Sequence, residues 1–355
     1  MQPNLAPTIS TGRGDCSYSD CIGAALKHAM DVDDSILVLG CGVTDYSGIF
    51  GTCLPARAQH EDRFIETPLS ENMLTGACVG MALGGLRPVL VHARMDFLPL
   101  TMEHIGNSMA KWGFMTGHYP NVVIRAIVGR GWGQGPTHSQ NLSGILSLLP
   151  GLRVYMPYRP VDAYYALRHA LSIDGPTVIV EPRRLYATKA EPPWRNGIPT
   201  GVYWGLGNLY GDCTLPNLMI VAFGDAVLDA LSAAATLRDG GVRAWVFDPQ
   251  SVPMPVRAIL DGVDRAHGKL AVVDNGWGLA DQVVSICAQA NVLSCPPVVI
   301  TPGFSPTPAS AHLESEYYVS AERIIHGVER LGLSLAVVST PTVAGDVRDG
   351  RNQPF

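Results

Sequence analysis

Short apolar runs alternate with helical segments along most of the chain, and this alternation limits the possible folds more than any other feature of the sequence. Uninterrupted apolar runs are typical of strands buried on both faces, and the helices between them connect parallel neighbours. We therefore predict an α/β fold with two domains, each a mostly parallel sheet flanked by helices. The expected strands are residues 35–40, 87–92, 121–128, 151–156, 177–181, 218–223, 242–247 and 270–274, and the expected helices are residues 18–30, 71–83, 99–112, 160–171, 225–237, 279–290 and 322–331.

The length and composition of the chain fit two cores. It has 355 residues, of which 47% are hydrophobic, enough to bury two separate interiors. Residues 191–217 are rich in proline and glycine and show little periodicity, which indicates a linker. We expect a first domain over residues 1–190, a linker over 191–217, a second domain over 218–335 and a tail over 336–355.

Charge and hydropathy exclude several classes of partner. No apolar run approaches the roughly 18 to 20 residues of a membrane helix, so the surplus hydrophobicity favours subunit interfaces instead. The net charge is −6 and no basic cluster is present, which argues against nucleic acid. The eight cysteines form no CxxC pair, and the amino-terminal segment resembles neither a signal nor a transit peptide. We therefore expect a cytoplasmic enzyme subunit with reduced thiols.

The segment 64–111 combines a carboxylate, a helix and an aromatic side chain. Glu71 falls in the first turn of the expected helix, where the helix dipole favours a negative charge. The rest of this helix is small or apolar and rich in glycine, so we expect it to be buried on most faces. The following strand, residues 87–92, leads to Asp96 and Phe97. Taken alone, Glu71 has a simple structural explanation, since a first-turn carboxylate stabilises any helix.

A series of motifs gives Glu71 a functional context. The chain carries TPLSE at 67–71, GACVG at 76–80, GLRP at 85–88, NSMAK at 107–111, THSQ at 137–140, PGLRV at 150–154 and EPRRLY at 181–186. In this order they resemble the beta subunit of thiamine-diphosphate-dependent 2-oxoacid dehydrogenase E1 components, which combine a transketolase-like pyrimidine-binding domain with a transketolase C-terminal domain. The resemblance implies that Glu71 activates the coenzyme, that Phe97 lies against its pyrimidine ring and that Leu69 lines the same pocket. Simple core packing remains an equal explanation for Phe97.

The resemblance also assigns a role to one histidine. His138 ends the glycine-dense segment 129–138 and belongs to the THSQ motif, which carries the active-site histidine in the resembled family. Imidazole is well suited to proton transfer near neutral pH. We therefore predict Glu71 and His138 as the catalytic residues.

Several departures from the family pattern point to a partner chain. The family holds magnesium diphosphate with a Gly-Asp-Gly…Asn motif, whereas here Gly224 and Asp225 are followed by Ala226. We therefore expect an alpha subunit to bind Mg²⁺ and the diphosphate, in an α2β2 assembly. The family's monovalent-cation turn reads IDGP at 173–176, so we predict no metal site on this chain. GCG at 40–42 lacks the family's acidic residue, and VDNGW at 273–277 replaces its glutamate-rich segment.

Two activities are compatible with this resemblance. The first is decarboxylation of a 2-oxoacid with transfer of the acyl group to a lipoyl carrier, which a lipoyl-bearing acyltransferase would present. The alternative is a two-chain carboligase or transketolase-like enzyme that passes a two-carbon unit to an aldehyde or keto-sugar. A non-catalytic assembly partner is the third possibility, and Glu71 with His138 argues against it.

Overall fold

Two parallel-stranded sheets organise the part of the chain that the computed structural model describes, which is residues 14–131, 133–195, 205, 207–211 and 213–333. The strands are β1 (Cys16–Ser17), β2 (Ile36–Gly40), β3 (Phe64–Glu66), β4 (Arg87–His92), β5 (Val123–Val128), β6 (Arg153–Tyr155), β7 (Thr177–Pro182), β8 (Lys189–Ala190), β9 (Asn208–Tyr210), β10 (Leu218–Ala222), β11 (Ala244–Asp248), β12 (Ser251–Val252), β13 (Leu270–Val273) and β14 (Val298–Ile300). The helices are α1 (Tyr18–Met30), α2 (Leu54–Arg57), α3 (Glu71–Leu83), α4 (Ala110–Thr116), α5 (Ser143–Leu146), α6 (Pro160–Ser172), α7 (Ala226–Asp239), α8 (Val256–Arg265), α9 (Leu279–Gln289), α10 (Ala311–Tyr317) and α11 (Ala321–Glu329).

The sheet order confirms the predicted fold class. The larger sheet has seven strands in the order β12-β6-β7-β5-β4-β2-β3, and the smaller has five in the order β14-β13-β10-β11-β9. All neighbours run parallel except the edge strands β12 and β9, which are antiparallel to β6 and β11. Strand β12 follows β11 in sequence but pairs with β6 in the larger sheet. The second half of the chain therefore contributes an edge strand to a sheet whose other strands come from the first half.

Most predicted elements agree with the structure within a few residues, and the differences have physical causes. The expected helix 99–112 is wrong in type: a 3₁₀-helix spans Met95–Thr101, a π-helix spans His104–Met109, and α4 follows. Pro99 lies inside the first of these, and a proline cannot donate the backbone hydrogen bond that an α-helix needs. Helix α8 and strand β14 were not predicted at all.

Helix α3 is less buried than its composition suggests. Only Leu74, Thr75, Cys78 and Val79 are buried, whereas Met73 is 55% exposed and Leu83 is 43% exposed. One face packs on the sheet, and the small and apolar residues of the other face are solvent-exposed in the single chain. The expectation of burial on most faces is therefore wrong for the isolated chain.

The domain boundaries remain a prediction. Strand β9 lies within the expected linker and pairs with β11, and residues 196–204 of that linker and 336–355 of the expected tail lie outside the described residues. Within the described residues, no helix has both the length and the apolar character needed to cross a bilayer.

A buried ion pair joins the two central strands of the larger sheet. Arg125 on β5 donates to both carboxylate oxygens of Glu181 on β7, at 2.6 and 2.9 Å, and both side chains are at most 1% exposed. The remaining partners are also polar, since Arg125 donates to the hydroxyl of Thr52 at 2.7 Å and the Tyr186 hydroxyl donates to Glu181 at 2.7 Å. Both charges are thus compensated inside the core.

Glu181→Gln should therefore destabilise the chain strongly, because the substitution leaves the Arg125 charge buried without a counter-ion. We expect a loss of about 3–5 kcal/mol, measured as the free energy of unfolding in urea. The control is Glu329→Gln, which removes the exposed ion pair with His326 and should cost less than about 1 kcal/mol. Equal effects of the two substitutions would contradict this account of the core.

Candidate active site

A cavity opens where the carboxyl ends of β2 and β4 meet the first turn of α3. Its volume is about 460 Å³ when the solvent-filled space of its open mouth is included. The carboxyl edge of a parallel sheet is where α/β folds bind ligands. The cavity is lined by Gly40, Cys41, Pro68, Leu69, Ser70, Glu71, Leu74, Leu90, Val91, His92, Ala93, Arg94 and Phe97.

Three of the predicted site residues line this one cavity. Glu71 begins α3 and is half-buried, and among the described residues no protein group hydrogen-bonds its carboxylate. Phe97 is half-buried on the 3₁₀-helix after β4, while Leu69 is 77% exposed. The wall between β2 and β4 is tight, because a Cβ at Gly40 would lie only 2.8 Å from the carbonyl oxygen of Val91. A carboxylate, an aromatic ring and an aliphatic side chain thus face a common space.

The structure also brings His138 to this cavity. Its ring packs edge-on against Phe97, with the centroids 5.4 Å apart and an interplanar angle of 87°. Asp96 accepts hydrogen bonds from the backbone and side-chain nitrogens of Gln140, both at 3.0 Å, so the strand end that carries Phe97 also tethers the THSQ segment. Leu69, Glu71 and Phe97 therefore line the cavity, and His138 adjoins it through its contact with Phe97.

The second half of the chain holds the glycine-dense loop from the other side. The backbone amide of Gly131 donates to the buried carboxylate of Glu314 at 2.6 Å, and the hydroxyl of Tyr318 donates to the carbonyl of Ser139 at 3.1 Å. Arg130 lies over the Tyr318 ring at 4.2 Å and pairs with Asp225 at 2.8 Å. Asp225, which follows Gly224, is thus used in an ion pair with this loop.

Sequence reasoning missed two polar residues of the cavity, His92 and Arg94. His92 ends β4, and its Nε2 is buried without a hydrogen-bond partner among the described residues. Burial lowers the pKa of His92 to about 4, so the ring is neutral at physiological pH. Arg94 is half-buried and donates from Nε to the side-chain oxygen of Gln134 at 2.8 Å. The sequence did contain a signal for these two residues, because a histidine and an arginine stand at the end of an otherwise apolar strand.

The turn at 173–176 is bound by arginine side chains. Arg153 donates from one terminal nitrogen to the carbonyls of Asp174 and Gly175, at 2.6 and 2.7 Å, and Arg87 donates to the carbonyl of Ile173 at 3.1 Å. Among the described residues, no group of three or more His, Cys, Asp or Glu side chains could hold a metal ion. The absence of a metal site on this chain stays a prediction.

An acidic side chain does reach the segment after β2. The Glu66 carboxylate, from the end of β3, accepts from the backbone amides of Gly42 and Thr44, at 2.5 and 2.9 Å. Burial is the largest single influence on this carboxyl group and acts to raise its pKa. The hydrogen bonds together outweigh burial, so the pKa of Glu66 is lowered. The segment after β2, which lacks an acidic residue at 40–42, is therefore in contact with a carboxylate from the neighbouring strand.

Comparison with known proteins agrees with the geometry. Residues 15–189 match the transketolase pyrimidine-binding domain and residues 211–324 match the transketolase C-terminal domain. The chain is 31% identical over 324 residues to the beta subunit of acetoin:2,6-dichlorophenolindophenol oxidoreductase from Cupriavidus necator, covering 85% of this chain and 93% of the relative. It is 29% identical over 322 residues to the pyruvate dehydrogenase E1 component subunit beta of Rickettsia bellii, covering 86% and 95%.

A solved structure shares the fold. A split-gene transketolase, described as an inactive beta4 tetramer, superposes with a TM-score of 0.68 over 89% of this chain and 98% of its own, at 20% sequence identity. Identity at this level supports the two-domain architecture and no finer statement about activity.

His92 should make the stability of the chain depend on pH. Its pKa of about 4 in the folded chain lies below the value of 6.5 that a histidine has in an unfolded chain, so the unfolded chain binds more protons and stability falls as pH falls from about 6.5 to 4. We expect the wild type to lose about 2 kcal/mol between pH 7 and pH 5 from this residue, measured as the free energy of unfolding in urea. His92→Phe should lack this component; identical pH dependence in both proteins would contradict the burial of a neutral ring.

Proposed function

Because the chain belongs to the family of thiamine-diphosphate-dependent enzymes that contains the E1 beta subunits of 2-oxoacid dehydrogenases, we propose that it is the beta subunit of a two-chain enzyme that decarboxylates a 2-oxoacid and transfers the acyl group to a lipoyl carrier. The observation that supports this proposal is a cavity lined by Glu71 and Phe97, with His138 packed against Phe97 beside it. Relatives of this chain act on pyruvate or acetoin according to their names, which supports a small keto donor.

The cavity fits the pyrimidine half of thiamine diphosphate. The chemistry that this coenzyme supplies when bound is a carbon nucleophile that adds to a ketone and stabilises the charge left by departing carbon dioxide. Glu71 would hold a proton at a pyrimidine ring nitrogen, since a charge-assisted hydrogen bond to a carboxylate is strong in a site with little water. Phe97 would pack against the pyrimidine ring, and Leu69 would exclude water from it.

His138 would act on the substrate rather than on the coenzyme. Its ring packs on Phe97 and is not among the groups that line the cavity with Glu71, and the Thr137 hydroxyl lies 2.8 Å from its Nδ1. This contact fixes the orientation of the ring, and the other nitrogen remains for proton transfer at the oxygen of the substrate carbonyl. The loop contacts to Glu314 and Tyr318 would keep that nitrogen in place.

An alpha subunit would complete the site. Leu69, which lines the cavity, is 77% exposed, and Met73 on α3 and Leu100 after β4 are 55% and 60% exposed; large exposed apolar side chains are typical of a protein interface. The diphosphate and Mg²⁺ would be bound mainly by this partner, and an α2β2 assembly would place active sites at the interfaces between unlike chains. The absence of a metal site, the cytoplasmic location and the lipoyl-bearing acyltransferase also remain predictions.

Substitutions of the two catalytic candidates should separate their roles, with the partner subunit present. Glu71→Gln should lower both exchange of the coenzyme C2 proton and overall turnover by about 100-fold or more, because an amide lacks the charge that holds the pyrimidine proton. His138→Ala should lower turnover while leaving C2 exchange near wild type. Each variant serves as the control for the other, and equal losses of exchange in both would refute the division of roles.

The purified chain alone should bind thiamine diphosphate weakly and be inactive, because it lacks the Gly-Asp-Gly…Asn motif. Adding the alpha subunit should restore coenzyme binding and reductive acylation of a lipoyl domain from a 2-oxoacid. The same complex is also given an aldehyde or keto-sugar acceptor. Efficient carbon–carbon bond formation without lipoyl acylation would replace this proposal with the carboligase, and full activity of the chain alone would refute the split site.

A further inference from the structure

Arg94 holds a position between the two catalytic candidates. It follows β4 by two residues and lines the cavity that also contains Glu71 and Phe97. Its Nε donates to the side chain of Gln134 at 2.8 Å, and Gln134 belongs to the loop that carries His138. The guanidinium is therefore on the wall of the cavity that Glu71 lines and is also tied to the loop that carries His138.

The guanidinium is fixed by its surroundings. One terminal nitrogen donates to the carbonyl of Ala93 at 2.5 Å, and the side chain is half-buried. Burial lowers the pKa of Arg94, but an arginine keeps its charge at any physiological pH. A cation with little solvent around it interacts strongly with an anion that enters the cavity.

A second arginine adds to the positive charge on this side of the site. Arg183 lies over the ring of Phe50 at 3.7 Å, and Arg94 lies 5.6 Å from the same ring. Phe50 and its neighbour Ile49 have φ values of 59° and 41°, a conformation that costs about 1–3 kcal/mol for a non-glycine residue and is concentrated at functional sites. The strained segment thus places an aromatic ring against both guanidinium groups.

We propose that Arg94 is a specificity-determining residue that binds the carboxylate of the donor substrate and selects anionic 2-oxoacids over uncharged ketones. This inference rests on the proposed function, which it makes more specific. Arg94 lies on the cavity wall and Arg183 does not, so Arg94 makes the direct contact and Arg183 strengthens the local positive potential. A guanidinium suits a carboxylate because its positive charge strengthens the hydrogen bonds that it donates to the carboxylate oxygens.

The proposal is tested on the complex reconstituted with its alpha subunit. Turnover is followed by reduction of 2,6-dichlorophenolindophenol, with pyruvate as the anionic donor and acetoin as the uncharged donor. Arg94→Gln should lower kcat/KM for pyruvate by about 10- to 100-fold, the size of one charge-assisted hydrogen-bonded contact, mainly through KM. The value for acetoin should change less than about threefold, and Arg94→Lys should restore part of the loss.

A matched control is available in the same domain. Arg168 is also half-buried and also lies near an aromatic ring, at 5.8 Å from the Tyr164 centroid, but it belongs to α6 and does not line the cavity. Arg168→Gln should leave both donors unaffected. Equal losses for pyruvate and acetoin in Arg94→Gln would overturn the specificity role.

Binding distinguishes failure of this inference from failure of the proposed function. A phosphonate analogue of the 2-oxoacid carries the anion but cannot lose carbon dioxide, and its Kd can be measured by calorimetry without turnover. The Kd should rise about 10- to 100-fold in Arg94→Gln, while C2 proton exchange of the bound coenzyme stays unchanged. An unaltered Kd overturns the Arg94 role even where turnover is normal, whereas a wild-type complex without C2 exchange refutes the proposed function itself.

Discussion

The buried contact between Arg125 and Glu181 fixes the parts of the larger sheet on which the site is built. Burying two charges is costly unless each is paired and hydrogen-bonded, and here every strong donor and acceptor of the pair has a partner. One of those partners, Thr52, lies two residues after Phe50. The ion pair therefore holds not only β5 against β7 but also the strained segment that supports Arg94.

The site depends on this rigidity because its parts come from separate elements. Glu71 starts a helix, Phe97 follows a strand, and His138 ends a loop after another strand. Parallel strands place their carboxyl ends at one edge, which is why residues so far apart in sequence share one cavity. The loop still needs support from outside the sheet, and Glu314 and Tyr318 provide it. The second half of the chain therefore supports the loop that carries His138, although it contributes none of the predicted site residues.

Local sequence patterns were sufficient for most of the fold, whereas the candidate site residues were found through the resemblance of their motifs to a known family. Helix α1 and strand β4 agree with their predicted bounds, because periodicity and apolar runs are local signals. The 3₁₀- and π-helices after β4 and the pairing of β12 with β6 depend on residues distant in sequence. No local pattern in the sequence therefore predicted them. The same holds for His92 and Arg94, whose importance comes from the cavity they face. The burial of α3 was overestimated because composition cannot distinguish a core helix from one whose small and apolar residues are exposed on one face in the single chain.

The pairing of β12 with β6 has a consequence for the synthesis of the chain. All other strands of the larger sheet are synthesised before Ser251 and Val252 of β12. Strand β6 therefore remains an unpaired edge until β12 has been synthesised. An open edge of a sheet can pair with the wrong chain. Nascent copies of this protein would therefore be most vulnerable to aggregation during translation of the residues between β7 and β12, and a chaperone that shields the edge in this interval would improve the yield.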